Sequence, residues 1–367
     1  MKAGKVFYAV LNMGLGHAAR SLPIIKAFQQ RGWEVVVGSN GRALEFLKIE
    51  LPEVTFEETP GYDIQYAKNE NLAPKLFAQF PKLVKKIHEE HIFCDRNVKK
   101  HSPDLIISDH CYGMYHQRVL SYFLSHQVQF EMPGGLEFLA PLASKFNIKY
   151  HRRFSRVIIP DFPAADGGLL SGRLSKTPPI KNKYFFSGFL SSVSAHPVEK
   201  KIDVLVSISG PEPQRSIFEE IVLDQIKSVP GKKVVVLGKS ESKSVRKAAK
   251  DLLIYDHVPR KMMSELLNRA ELVVSRPGYS TLMELAELGK KALLIPTPGQ
   301  TEQIYLADRV MKKHWYYAVK QDDLKLNTDI PKAREYAGLF KPDVTRWSVL
   351  NIFDNLIQPN FQLNLKN

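Results

Sequence analysis

The stretches Gly14-Leu15-Gly16-His17-Ala18-Ala19-Arg20 and Ser275-Arg276-Pro277-Gly278-Tyr279-Ser280-Thr281 decide the fold. The first follows the apolar run 6–11, and the second follows Leu272-Val273-Val274. Each reads as a strand that ends in a tight turn and opens a helix. Such a turn aims backbone N–H groups and a helix dipole at one spot, which suits a phosphate or another anion. One turn in each half predicts two nucleotide-binding-type domains facing each other across a cleft.

Outward from these turns, strand and helix signals alternate. In the first half, strands are predicted over 5–12, 34–37, 54–57, 104–108 and 156–159. Helices are predicted over 21–31, 42–48 and 74–100, the first with Ser21 as its cap and Pro23 in its first turn. Residues 60–71 and 109–113 read as loops. Prolines and glycines cluster between 160 and 197, where a linker is expected, with 184–186 as a strand entering the second domain. In the second half, strands are predicted over 203–208, 233–237, 253–255, 272–274 and 292–295, and helices over 216–227, 260–270, 280–288 and 303–312. A last helix is read over 347–357. Repeated strand–helix units imply parallel sheets covered on both faces. The expected domains are 1–180, 181–345, and a C-terminal helical segment 346–367 packing back on the first.

The chain has 367 residues, of which 44% are hydrophobic and 25% charged, so it can bury sizeable cores without staples. Its two cysteines, Cys94 and Cys111, form no metal-type cluster and fit a reducing compartment. No signal peptide or bilayer-spanning run is read, so a cytoplasmic protein is expected. The net charge of +14 would serve nucleic acid, an anionic membrane or phosphorylated ligands. No zinc-finger, basic-zipper or RNA-recognition pattern accompanies it, so nucleic acid is not an expected partner. The helix over 74–100 carries Lys82, Lys85 and Lys86 among aromatics. It could lie on an anionic membrane at the inner face, or simply pack on its sheet with its polar face in water.

Gly14, Gly16 and Ala19 fit a G-x-G-x-x-A pattern. A dinucleotide site also wants an acid about twenty residues on, and Val37-Gly38-Ser39-Asn40 supplies none, so no nicotinamide or flavin cofactor is expected. His17 would look out of the carboxyl edge of the sheet, and an imidazole suits general-base work at neutral pH. The plainer reading is a histidine that caps its helix or only touches a ligand. At the second turn, Pro277 and Gly278 would let backbone approach a diphosphate, with hydroxyls from Ser280 and Thr281. Glu284, a helical turn on, could hold ribose hydroxyls. Thr281 and Glu284 also match a capping box, which would only satisfy helix-end amides. Gln300-Thr301-Glu302-Gln303 would lie on the same edge and could read sugar hydroxyls, or be a solvated helix start.

The His17 turn, the 275–284 segment and Glu302-Gln303 together resemble the glycosyltransferase family 28 group of GT-B enzymes. The likeness is closer to family-28-like proteins with a Gly-x-Gly-His-x-x-Arg turn. It implies two Rossmann-like domains. The second would hold a nucleotide diphosphate-sugar: Ser209, Gly210, Gly278, Ser280 and Thr281 at the diphosphate, backbone at Val258 at the base, Glu284 at the ribose, and Glu302 and Gln303 at the sugar. Gly14, Gly16 and Asp109 fall on the acceptor side with His17. Neither metal nor cofactor is expected, since helix dipoles and side chains offset the leaving charge. The chain departs from the family in its short first loop, in Ser209-Gly210-Pro211-Glu212-Pro213, and in lacking an arginine within Ser187-Gly188-Phe189-Leu190.

The expected function is transfer of a sugar, from a UDP-sugar donor, to an acceptor hydroxyl, such as that of a lipid-linked or cell-envelope glycan. A nucleotide-sugar hydrolase, a 2-epimerase of the same fold, and a non-catalytic nucleotide-sugar or polyanion binder remain as rival readings.

Overall fold

The computed structural model describes residues 4–61, 72–132, 135–239 and 244–364. It divides into two compact units, Met1–Ser192 with Val344–Asn367, and Val193–Asp343.

In the first unit, β1 Lys5–Val10, β2 Glu34–Ser39, β3 Thr55–Glu58, β4 Leu105–Asp109, β5 Leu120–Leu124, β6 Arg156–Ile159 and β7 Tyr184–Phe186 form a seven-stranded sheet. Its order is β3-β2-β1-β4-β5-β6-β7, and every neighbouring pair is parallel. The helices are α1 Gly16–Gln30, α2 Gly41–Glu50, α3 Leu72–His101 and α4 Ala140–His151. Val6, Phe7, Tyr8, Ala9 and Val10 are all fully buried, as a strand covered on both faces must be. Successive strands step outward from β1 in one direction and, from β4 on, in the other. The reversal between β1 and β4 is the topological switch point, where open α/β sheets bind ligands beyond their carboxyl ends. Val10 and Asp109 are register partners there.

Four expectations are corrected here. Helix α1 begins at Gly16, so His17 lies in its first turn, Ser21 is inside it rather than its cap, and Pro23 is in its interior. Asp109 ends strand β4 rather than opening a loop. Residues 184–186 do not enter the second domain; they pair with β6 as the last strand of the first sheet. Strand β5 and helix α4 were not foreseen at all. Of the loop read over 60–71, residues 62–71 lie outside the described residues.

Helix α3 buries Ile87, Glu90, Cys94 and Asn97, a stripe at helical spacing, against the sheet. Its outer side exposes Lys82, Val84 and Lys85. Among the described residues no helix is long and apolar enough to cross a membrane.

The second unit repeats the plan. Its strands are β8 Ile202–Ser207, β9 Lys233–Val236, β10 Val245–Ala249, β11 Leu252–Tyr255, β12 Ala270–Ser275, β13 Lys291–Leu294 and β14 Tyr317–Ala318. The order is β10-β11-β9-β8-β12-β13-β14, parallel except for β10 against β11. Its helices are α5 Gln214–Gln225, α6 Arg260–Arg269, α7 Tyr279–Leu288, α8 Thr301–Lys312 and α9 Leu326–Glu335. Gly289 ends α7 in the left-handed region, at φ 59°, where a glycine carries no steric penalty. The switch point of this sheet lies between β8 and β12.

The chain then returns to the first unit as α10 Val344–Ile352, a π-helical turn Phe353–Ile357, and α11 Gln358–Asn364. Val349, Ile352, Phe353, Leu356 and Ile357 enter the core that holds β1 and α1. Phe353 meets Phe28 edge-on at 4.7 Å between ring centroids, and the Arg31 guanidinium lies 4.1 Å above the Phe353 ring.

Candidate active site

At the switch point of the first unit, α1 brings three polar side chains onto one carboxylate at the end of β4. Asp109 is fully buried. Its Oδ1 accepts from His17 Nδ1 at 2.7 Å and from the Arg20 guanidinium; its Oδ2 accepts from Arg20 Nε at 2.8 Å and from Ser21 Oγ at 2.8 Å. The helical start at Gly16 explains the arrangement. It places His17, Arg20 and Ser21 on the face of α1 that meets the end of β4. Arg20 also donates from Nη1 to His126 Nδ1 at 3.0 Å, so that imidazole carries its proton on Nε2.

Arg20 Nη2 also lies 3.0 Å from His17 Nδ1, but the shorter contact is to an ionised carboxylate, which only accepts, so His17 carries its proton on Nδ1 and keeps a lone pair on Nε2. The His17 side chain retains 15% exposure, whereas Asp109 retains none. Burial pushes the His17 pKa below the usual 6.5 and the Arg20 charge lowers it further, against the pull of Asp109. Burial alone would raise Asp109, but Arg20 and then His17 hold its carboxyl well below the ordinary range. The cluster is a buried ion pair, Arg20 with Asp109, that presents a neutral, oriented base.

His110, next to Asp109, adopts φ 63°, an uncommon conformation for a residue with a side chain. This bend sets its ring 5.4 Å from that of His17, and its buried Nδ1 has no hydrogen-bond partner among the described residues. Asn12 ties the edge together, donating to Asn40 Oδ1 at 3.0 Å and accepting from Ala43 N at 3.2 Å. Gly14 has φ 78°, and a Cβ added there would meet nothing within 4 Å.

In the second unit, Ser209 and Gly210 follow β8, and Pro277 and Gly278 follow β12, one on each side of the switch point. Gly278 is the N-cap of α7, which therefore starts with no side-chain cap. Its backbone is ordinary, φ −68° and ψ 144°, and an added Cβ would meet only Thr281 Oγ1, at 3.5 Å. Steric need within the protein does not explain this glycine; it leaves open space at a helix start. Thr281 lies inside α7 and is not its N-cap, so the capping-box reading fails.

Two expected ligand residues have protein partners. Glu284 pairs with Arg260, which begins α6 directly after Val258-Pro259, so the loop holding the buried Val258 is fastened to α7. Gln303 turns inward, accepting from Thr297 N at 2.9 Å and donating to Gln300 Oε1 at 2.5 Å. Glu302 lies in the first turn of α8.

Arg276, part of the second turn but without a role in the sequence reading, is a buried cation. It is 2% exposed and has no carboxylate partner among the described residues; it donates to the carbonyls of Ile295, Pro296 and Gln214 and to Gln321 Oε1 at 2.6–3.2 Å. Its guanidinium lies 4.3 Å above the Phe218 ring. Burial pushes its pKa down to about 10, still charged at neutral pH. One cation, two residues before Gly278, thus joins the turn after β12 to the start of α5, the loop after β13 and Gln321. Thr297, 1% exposed, keeps an Oγ1 with no partner among the described residues, 3.8 Å from a Cβ added at Gly210. Among the described residues no group of three or more His, Cys, Asp or Glu side chains could hold a metal ion.

Residues 214–335 match the glycosyltransferase family 28 C-terminal domain, and residues 4–127 match glycosyl transferase family 1. No curated protein matches the chain significantly. Among solved structures, the chain is similar to the glycosyltransferase SnogD from Streptomyces nogalater at 14% identity and a TM-score of 0.63, over 100% of this chain and 98% of that one. It is similar to MurG of Acinetobacter baumannii at 16% identity and 0.56, over 96% and 99%. It is also similar to the glycosyltransferase VinC, solved in complex with dTDP, at 12% identity and 0.58, over 99% and 98%. Fold and matched domains make the chain a glycosyltransferase of the GT-B fold. More particularly, it resembles family 28, whose C-terminal domain its second unit matches over residues 214–335.

Proposed function

We propose that the chain transfers a sugar from a nucleotide diphosphate-sugar, a UDP-sugar by preference, to an acceptor hydroxyl, with His17 as general base. The observation that carries this is the 2.7 Å contact of His17 Nδ1 with buried Asp109, which leaves Nε2 basic. In the step, His17 Nε2 takes the proton of the acceptor O–H as that oxygen bonds to the anomeric carbon. The bond from that carbon to the diphosphate oxygen breaks, and the diphosphate leaves with the electron pair. Asp109 orients the ring and stabilises the imidazolium that forms.

The donor reading rests on the switch point of the second unit. Ser209, Gly210, Pro277, Gly278, Ser280 and Thr281 would hold the diphosphate, with the α7 N-terminus and the buried Arg276 charge offsetting its negative charge in place of a metal. Glu284 would take the ribose hydroxyls in exchange for, or together with, Arg260. Val258 would meet the base through its backbone, and Glu302 and Gln303 would face the sugar. That VinC was solved with dTDP makes thymidine diphosphate the second nucleotide to try. The exposed Lys82 and Lys85 of α3 and the net charge of +14 support an acceptor presented at an anionic membrane.

The test is thermal denaturation with UDP, dTDP, GDP and CMP and their sugars. A ligand that binds only the native state adds about 2.7 kcal/mol at a hundredfold excess over Kd. One diphosphate series should raise the melting temperature, and Glu284→Ala should abolish the rise. No rise with any nucleotide would contradict the donor reading.

A further inference from the structure

We propose that a recess at the opposite edge of the second sheet, between Lys200 and Lys290, is a binding site for a phosphate group. The recess has a volume of about 350 Å³ and lies at the amino-terminal ends of β12 and β13, away from the α7 turn. Lys290 is 2% exposed, and its Nζ donates to the carbonyls of Asn268 and Ala270, each at 2.7 Å. Lys200 reaches in from the surface and donates to the same Asn268 oxygen at 2.8 Å. Two ammonium groups on one oxygen are necessarily close neighbours.

Among the described residues they are offset only by the carbonyl end of α6, where Asn268 and Ala270 lie, and not by a carboxylate. Lys291 and Arg334 also line the recess, and Glu271 is the lone acid there. Glu271 is engaged by Arg334 at 3.2 Å, and Lys291 donates to the Arg334 carbonyl. Neither Lys200 nor Lys290 has a carboxylate within ion-pair distance among the described residues. Burial, and after it the nearby Lys200, push the Lys290 ammonium down to about 7, the response of a cation that lacks a counter-charge. Each ammonium has three N–H donors. Two of those on Lys290 and one on Lys200 meet carbonyls, which leaves donors for a tetrahedral oxyanion. Such an anion relieves the repulsion and favours the charged form of Lys290.

The experiment is calorimetric titration with inorganic phosphate at ionic strength held constant with chloride, on wild type and Lys200→Gln. Lys200 is exposed, so its variant keeps the fold. Wild type should bind, and Lys200→Gln should weaken binding tenfold or more, with a melting temperature in chloride equal to or above that of wild type. Lys290→Met should lose phosphate binding as well. Equal phosphate binding by wild type and Lys200→Gln, or none by either, overturns the proposal. Co-sedimentation with phosphatidylcholine vesicles, with and without phosphatidic acid, identifies the source. Loss of vesicle binding in Lys200→Gln, with competition by phosphate, assigns a lipid headgroup; phosphate binding without vesicle binding assigns a soluble one. The site is independent of the donor reading, because UDP binding at α7 should be unchanged in Lys200→Gln.

Discussion

Asp109 Oδ1 lies 2.7 Å from His17 Nδ1 across 92 residues of sequence. This contact turns a histidine at a helix start into an oriented base. Arg20 and Ser21 satisfy the rest of the carboxylate, and burial, with the Arg20 charge after it, keeps the imidazole neutral.

His17→Ala should lower the rate of sugar transfer by about 10²–10⁴, the usual contribution of a general base. Initial rates of nucleotide release with a hydroxyl acceptor measure it. A rate unchanged by the substitution would remove His17 from the chemistry.

Asp109→Asn should lower turnover and stability together. The amide cannot neutralise Arg20, and stranding a buried partner of an ion pair costs about 3–5 kcal/mol. Urea denaturation reads the stability, and KM against kcat reads the site. A substantial fall in kcat with unchanged KM in the folded fraction is the expected pattern.

The acid limb of kcat/KM should fall below the usual histidine value of 6.5, because burial and then Arg20 lower the His17 pKa. Arg20→Met should move that limb upward. Stability follows the same sign. The unfolded chain takes up the His17 proton at a higher pH than the folded one, so stability present above 6.5 is lost as pH falls towards the folded value. Asp109, held below its usual 3.8, adds stability present above that pH and lost on further acidification. Rate profiles and urea midpoints from pH 5 to 8 check the first effect, and midpoints below about pH 4 the second.

Gly278→Ala separates ligand from fold. Its backbone is open to alanine and the added Cβ makes only an ordinary contact. The free protein should be unchanged, or stabilised by about 0.4–1 kcal/mol through the unfolded chain. Nucleotide affinity should fall at least tenfold if a diphosphate occupies that space. Unchanged affinity would move the diphosphate elsewhere.

Phe353→Ala should destabilise the first unit by about 3–5 kcal/mol, since the ring is 1% exposed and packs on Phe28. Chemical denaturation monitored by tryptophan fluorescence checks it.

The sequence made the architecture legible because apolar runs, glycines and helix signals repeat in order. Strand β5 escaped because Ser121 interrupts its short apolar run; the serine is 2% exposed, with its hydroxyl turned back onto the Val119 carbonyl. The start of α1 was misplaced because Ser21 looks like a cap. Its hydroxyl is instead spent on Asp109. His17 and the α7 turn stood out from local pattern alone. The roles of Arg20 and Asp109 did not, because their pairing spans 89 residues. The spacing of His17 and Arg20 on one helix face was the available signal. Arg276 gave none, since an arginine beside Pro277-Gly278 reads as a solvated turn residue until its carbonyl partners are seen.

The most direct test pairs UDP-binding calorimetry with turnover on the same preparation of His17→Ala. The account predicts a wild-type Kd for UDP, from an intact second unit, with sugar transfer reduced by about 10²–10⁴. Loss of UDP binding along with turnover, or retention of both, would contradict it.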